Sequence, residues 1–322
     1  MKSIRFSIAI AVILTLSVVS LFVGVSDVSL RSLWAEGLDG RSMQLLFASR
    51  LPRTFALILA GAGMAVAGLL MQMLVRNRFV EPSTVGTMES ASFGMLMVVL
   101  FAPDMPVIGR MLVAAFFALL GTALFLRLLR AIPLRSILMV PLVGILLSGV
   151  IGAVTTFFAY RYNLLQSLSA WTTGDFSIVL RGRYELLWIS GAMVILAYIA
   201  ADRFTVAGLG KDFSTNLGVN HGVVITLGLV IVSLVSASVL VSVGMIPFLG
   251  LVVPNIVSLM VGDNARRSLP LVALMGAGLV LACDIVGRIV ISPYEIPIGA
   301  TMGVLGSACF LYLLLRSRAR VA

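Results

Sequence analysis

The chain has 322 residues, with 23 Lys and Arg and 13 Asp and Glu, so 11% are charged against 60% hydrophobic. A soluble domain carries about 25% charged residues, and a mean hydropathy of +1.13 leaves too little polar surface for a water-facing globule. The formal charge of +10 would suit nucleic acid, but nearly all the basic residues are Arg at the ends of apolar runs, with Lys only at 2 and 211. That distribution belongs to membrane topology rather than to a nucleic-acid surface.

Lys2 and Arg5 ahead of the apolar run 6–24 have the charge layout of a signal peptide, but no small-residue cleavage site follows, so this run reads as a retained first helix. Further apolar windows, separated by Pro, Gly and charge, predict helices at 54–74, 83–102, 107–127, 136–160, 185–201, 221–242, 247–261, 269–290 and 297–315. Ten spans of about 20 residues each, the length that crosses ~30 Å of hydrocarbon, leave only short connections. The expectation is therefore an all-α polytopic bundle forming a single transmembrane domain over 1–322.

With the N-terminus inside, the cytoplasmic ends hold Lys2, Arg5, Arg76, Arg78, Arg127, Arg130, Arg135, Arg203, Lys211, Arg266, Arg267, Arg316, Arg318 and Arg320, fourteen basic residues against nine outside. The positive-inside rule then places both termini in the cytoplasm. Acids Asp27, Glu36, Asp39, Asp104, Asp175, Glu185 and Glu295 fall outside, and Glu81, Asp202, Asp212 and Asp263 inside. The outer loops 25–53 and 161–184 are each long enough for a short helix, and so is the inner loop 202–220. The segment 247–261 has Pro247 at its start and Pro254 in its middle, which requires irregular backbone covered by neighbouring helices or a water-filled path.

Several chemistries are excluded. His221 is the only histidine, so His-rich metal sites and most Ser/His/Asp arrangements are absent. Neither lysine sits in a phosphate-binding loop, so any ATP hydrolysis belongs to another chain. Cys283 and Cys309 lie inside apolar runs and read as small core residues. No metal or cofactor is implied, and no nucleophile is assembled for catalysis.

Two features inside the spans carry charge. Glu89 falls about seven residues into the predicted helix 83–102, where a carboxylate needs a polar neighbour or water. It is either hydrogen-bonded to an adjacent helix or lines a translocation path with Thr87, Met88 and Ser90, flanked by Met95 and Met97. Asp284 and Arg288 are four apart on one helix face and form a structural charge pair. Gly299-Ala-Thr-Met-Gly303 is a small-xxx-small surface that permits close helix approach, in a dimer interface or internally.

Seven motifs complete the reading: Arg50-Leu-Pro-Arg53, Gly61-Ala62 to Gln72, Asn77 to Pro82, Leu209-Gly210 to Leu217-Gly218, Phe248-Leu-Gly-Leu-Val-Val-Pro254, Asp284 to Arg288, and Glu295-Ile-Pro-Ile-Gly299. In this order, over nearly the whole chain, they resemble the membrane permeases of type II ABC importers for iron-siderophores, haem and vitamin B12. The resemblance implies half of a permease dimer with ABC ATPase subunits inside and a periplasmic or lipid-anchored binding protein outside. It implies no enzymatic activity in this chain, no cofactor, and a place in the bacterial inner membrane.

Site residues follow from the same resemblance. Arg50 and Arg53, whose guanidiniums would face water beside Pro52, together with Arg288, would dock the binding protein. Gly210, Lys211, Asp212, Phe213, Ser214, Leu217 and Gly218 would form the coupling helix that enters a groove on the ATPase, with Lys211 replacing a usual acid and Ser214 a usual alanine. Asn77 and Phe79 would close the cytoplasmic gate. Asn255 and Ser258 replace the common His and Arg, which resembles the branch that imports ferric catecholate or mixed-ligand siderophores and often pairs with a paralogous second permease, a homodimer being the alternative. Rival readings keep the machine but carry haem or vitamin B12, or make the chain an ion-coupled secondary transporter with Glu89 and Asp284 as ion sites.

Overall fold

Away from water, a helix is the one local form that satisfies its own backbone. Every element among the described residues is accordingly helical; the computed structural model describes residues 2–24, 40–132 and 139–318. Asp27, Glu36, Asp39, Arg135 and Arg320, whose sidedness the sequence reading assigns, lie outside them.

In chain order, α1 is Lys2–Phe22 and α2 is Arg41–Leu45, followed by a π-helical turn, Leu46–Arg50, and α3, Leu51–Val75. A 3₁₀ turn at Pro82–Thr84 precedes α4 (Thr87–Phe101), α5 (Val107–Ala131), α6 (Met139–Arg161) and the short α7 (Leu165–Thr172). Then come α8 (Leu187–Ile199), α9 (Ala201–Gly208), α10 (Lys211–Asn216) and α11 (His221–Val243). The series ends with α12 (Leu249–Val261), α13 (Ala265–Val290) and α14 (Ile298–Arg318). Five stretches are long and apolar enough to span alone, α8 and α9 form a sixth bent by 67°, and α1, α4, α12 and α14 contribute four shorter apolar helices. Each of the ten predicted spans has its counterpart among these.

Boundaries move where proline and glycine act. The second span starts well before residue 54, because the helix runs on from Arg41 through the π turn. Pro52 has no N–H for the carbonyl four residues back, and the widened turn frees that carbonyl, Ala48 O, to accept from Arg181 N at 3.0 Å. The third span starts at Thr87 rather than 83, because Pro82 opens a separate turn and Gly86 takes a left-handed φ of +83°. Glu89 therefore sits in the first turn of its helix instead of seven residues inside it. The inner loop 202–220 is mostly helical, as α9 and α10.

The centre is α3, whose most extensive contact is with α13. Between apolar helices in lipid no hydrophobic force drives association, so close approach of small residues does. At Gly61 a Cβ would stand 2.7 Å from Gly276 O, and at Gly68 it would stand 2.0 Å from Gly250 O. The rim is α6, which turns Leu142, Ile145, Leu146, Val150 and Phe157 outward. Gly68→Ala should force α3 away from α12 and lower stability by about 1–3 kcal/mol, the usual cost of overpacking. Gly149→Ala, with nothing within 4 Å of its new methyl among the described residues, should change thermal unfolding in detergent very little.

Candidate functional site

At the end of the bundle where α3 begins, a buried ion cluster ties four segments together. Arg53 Nη2 meets Asp284 Oδ1 at 2.7 Å and its Nη1 meets Glu295 Oε2 at 2.7 Å. Arg288 Nη2 lies 2.5 Å from Asp284 Oδ2, so the charge pair four residues apart on α13 is formed. Arg288 also donates to Ser20 O (3.0 Å), Val23 O (2.6 Å) and Ser20 Oγ (2.7 Å), and Arg50 donates to Val23 O. The expectation that Arg50 and Arg53 face water is corrected: Arg50 is 8% exposed and the Arg53 side chain 11%. Their partners arrive from α1, from α13 and from the 291–297 segment, all remote in sequence. Burial of that kind holds together because each charge has an opposite partner or a carbonyl to meet.

Toward the other end, the connector between α3 and α4 pins the start of α12. Gly244 turns the chain at φ +85° after α11, and Phe248, also left-handed at φ +62°, precedes α12. Glu81 is fully buried beside this break. Its Oε1 accepts from Phe248 N at 2.8 Å and from Ser83 Oγ at 2.6 Å, while Thr84 Oγ1 accepts from Glu81 N at 3.1 Å. Oε2 lies beside Gly250, where a Cβ would stand 3.2 Å from it. A carboxylate there faces the positive end of the α12 dipole. Burial pushes the Glu81 carboxyl above its ordinary range, and the hydrogen bonds from Ser83 and Phe248 oppose that rise. Pro254 withholds the N–H that Gly250 O would receive within the helix, and Gln72 Nε2 supplies it from α3 at 3.2 Å.

The same connector is fastened along α12. Asn255 Nδ2 donates to Arg78 O at 2.8 Å, Arg78 pairs with Asp263 at 2.5 Å, and Ser258 Oγ donates to Asp263 at 2.5 Å. These contacts give Asn255 and Ser258 definite structural roles. Asn77 is buried, with Oδ1 accepting from Phe79 N at 2.9 Å, and the Phe79 ring packs edge-on against Phe310 of α14 at 5.9 Å. A cavity of about 480 Å³ opens here between Gln72, Arg76, Asn77, Asn255 and Asp263.

Between Gly210 (φ +113°) and Gly218 (φ +72°), α10 projects from the bundle. Leu209, Phe213 and Leu217 are 58%, 60% and 59% exposed, three large apolar side chains on one short protrusion. Lys211 and Asp212 are exposed beside them. Ser214 is fully buried, its hydroxyl donating to Gly210 O at 2.7 Å, so the serine serves the fold of the loop itself. His221, at the start of α11, places Nδ1 3.3 Å from that hydroxyl.

On α4, Thr87, Met88 and Ser90 are buried. Thr87 Oγ1 pairs with Thr122 Oγ1 at 2.7 Å, and Ser90 donates to Gly86 O at 2.6 Å. Of that group Glu89 borders a cavity of about 290 Å³, shared with α6, α7 and Met245. Successive helical residues turn by about 100°, so one residue rather than four reaches it. In the small-residue motif of α14, Gly299 packs on Gly174, while Gly303 has nothing within 4 Å among the described residues.

Sequence reasoning missed Glu81 and Gln72 as partners of the broken helix. The available signal was the pairing of a buried-looking carboxylate and amide with the prolines that leave backbone groups unpaired.

Comparison with known proteins follows the same outline. The FecCD transport family matches residues 11–316. The petrobactin import system permease protein YclN of Bacillus subtilis is 48% identical over 95% of this chain and 96% of its own length. The petrobactin import system permease protein FatD of Bacillus anthracis is 43% identical, covering 97% and 91%. The ferric-anguibactin transport system permease protein FatD of Vibrio anguillarum is 38% identical, covering 94% and 96%. Among solved structures, a metal-chelate type ABC transporter in an inward-facing conformation has the same fold, with a TM-score of 0.80 at 24% identity over 98% of this chain and 99% of that one.

Glu81→Ala should leave the Phe248 N–H and the Ser83 hydroxyl without their acceptor and cost about 2 kcal/mol of stability. Glu81→Gln keeps an acceptor in place and should lose less than half as much. Thermal unfolding of the purified protein checks this, and equal losses in the two variants would show that the acceptor is not what holds the break.

Proposed function

Because the chain belongs to the FecCD transport family, we propose that it is one half of the permease dimer of an ATP-driven importer that carries a ferric siderophore into the cytoplasm by alternating access. The observation that carries this reading is the α10 protrusion. Phe213 and Leu217, exposed between two left-handed glycines, and Leu209 just before the first of them have no use in a solitary bundle, and they suit insertion into a groove on a separate ABC ATPase. Gly210, Lys211, Asp212, Phe213, Ser214, Leu217 and Gly218 are then the coupling element. An ion-coupled secondary transporter has no need of such a contact, and Asp284 is already engaged by two arginines.

The cargo reading is supported by the names of the three relatives, all permeases for petrobactin or anguibactin at 38–48% identity over more than nine-tenths of this chain. In this reading the chain spans the inner membrane with both termini in the cytoplasm, and a paralogous permease completes the dimer. A periplasmic or lipid-anchored binding protein delivers the chelate at the Arg53 end. Arg50, Arg53 and Arg288 act there by fixing the outer ends of α1, α3 and α13 on which it docks. Asn77 and Phe79 belong to the inner gate, and Glu89 faces the path.

Two measurements test the proposal. Leu217→Arg in the assembled transporter should leave ATP hydrolysis running while import falls at least tenfold; full coupling in that variant would remove α10 from the ATPase interface. Iron-starved cells lacking this gene should lose uptake of labelled iron supplied as a ferric catecholate and keep uptake of haem. Loss of haem uptake alone would reassign the cargo.

A further inference from the structure

The cavity beside Glu89 has a chemistry of its own. At about 290 Å³ it holds one arm of a chelate and not a whole ferric complex. Glu89 shares it with the hydroxyls of Ser92, Thr155, Thr156, Ser169 and Thr172, and among the described residues no basic side chain lines it. Thr155 and Thr172 donate to Ile151 O and Leu168 O of their own helices at 2.8 Å and 3.0 Å, which uses their hydrogens and leaves their oxygens as acceptors. Glu89 Oε2 and the Ser92 hydroxyl have no hydrogen-bond partner within range among the described residues, and the Ser148 hydroxyl of α6 adjoins the Glu89 carboxyl. Glu89 lies in the first turn of α4, whose positive end is close to its carboxyl.

Such a wall disfavours an anionic group, and the iron centre of a ferric catecholate is anionic. It suits a cationic hydrogen-bond donor, because charge-assisted bonds to a carboxylate are the strong ones and the hydroxyl oxygens accept what remains. We infer that this cavity receives a protonated amine in the chelator backbone, with Glu89 as its charge partner, while the ferric centre lies elsewhere in the path. The inference rests on the siderophore reading of the cargo and deepens it by naming the part of the chelate that is recognised.

The probes are two synthetic ferric catecholates identical except for one backbone atom, a secondary amine in one and an ether oxygen in the other. Uptake of labelled iron from each is measured in cells that depend on this gene, at equal membrane abundance of the variants. The amine-to-ether uptake ratio of the wild type should fall about tenfold in Glu89→Gln and stay within about threefold in Glu89→Asp. Any preference of the binding protein is common to all strains and cancels when the ratios are compared. Thr156→Val, a milder change in the same wall, should lower the ratio about threefold. An unchanged ratio in both Glu89→Gln and Thr156→Val, or an equal loss of both complexes, would overturn the inference and leave the siderophore reading intact. Import of neither ferric complex by the wild type would instead overturn the siderophore reading and the inference with it.

Discussion

A main chain that stops bonding to itself inside an apolar bundle must find its partners in other segments, and three such places organise this protein. Ala48 O, released by Pro52, takes Arg181 N. Gly250 O, released by Pro254, takes the Gln72 amide, and Phe248 N at the start of α12 takes Glu81. Away from water an unpaired group of this kind costs several kcal/mol, so the buried Gln72 and Glu81 contacts are not optional, whereas Ala48 and Arg181 meet at an exposed end of the bundle. Two of the three converge on α12. The irregular stretch from Gly244 to Pro254 is thereby bound to α3 on one side and to the α3–α4 connector on the other.

Shape and charge then set the helix positions around that break. Gly68 lets Gly250 approach α3 closely enough for Gln72 to reach it, so helix packing and backbone satisfaction are the same event seen from two sides. Gly144 does similar work beside the connector, where a Cβ would stand 2.3 Å from Thr84 O. At the far end the Arg53 cluster joins α1, α3, α13 and the segment before α14. Its charges are nearly all buried, so removal of any one member strands another, and the arrangement is fixed more firmly than its net stabilisation alone would suggest.

The ten spans were legible because each is a contiguous apolar run, and the 202–220 loop because it breaks such a run between two Leu-Gly pairs. Helix ends were less legible where the deciding residue acts at a distance. Pro52 marks a helix start in sequence, yet Arg181 satisfies the carbonyl it frees and the helix continues back to Arg41. Arg53 read as a water-facing cation, since Asp284 and Glu295 lie 231 and 242 residues away. Glu81 read as an ordinary cytoplasmic acid for the same reason, its partner Phe248 being 167 residues on. Local pattern reports periodicity and breaks; it carries no information about which orphaned group a distant side chain will meet.

The two ends of the bundle differ in how tightly they are held, and that difference bears on movement. At the α10 end, Thr205 Oγ1 of α9 accepts from Ala265 N at 3.0 Å, and Asp202 pairs with Arg266 at 3.0 Å, so the segment leading into α10 is fastened to the start of α13. Immediately before that start, Asp263 pairs with Arg78 of the connector, and Gly262 provides a left-handed joint at φ +82°. A displacement of α10 therefore arrives at the joint that also holds the connector, and through it Glu81 and the broken helix. Both ion pairs there are half or more exposed, where such a pair contributes about 0–1 kcal/mol. The Arg53 pairs are buried, where breaking one strands a charge. The Arg53 end is thus held by buried ion pairs, whereas the ion pairs at the joint beside α10 are solvent-accessible and the buried contacts there are the hydrogen bonds of Glu81 and Gln72.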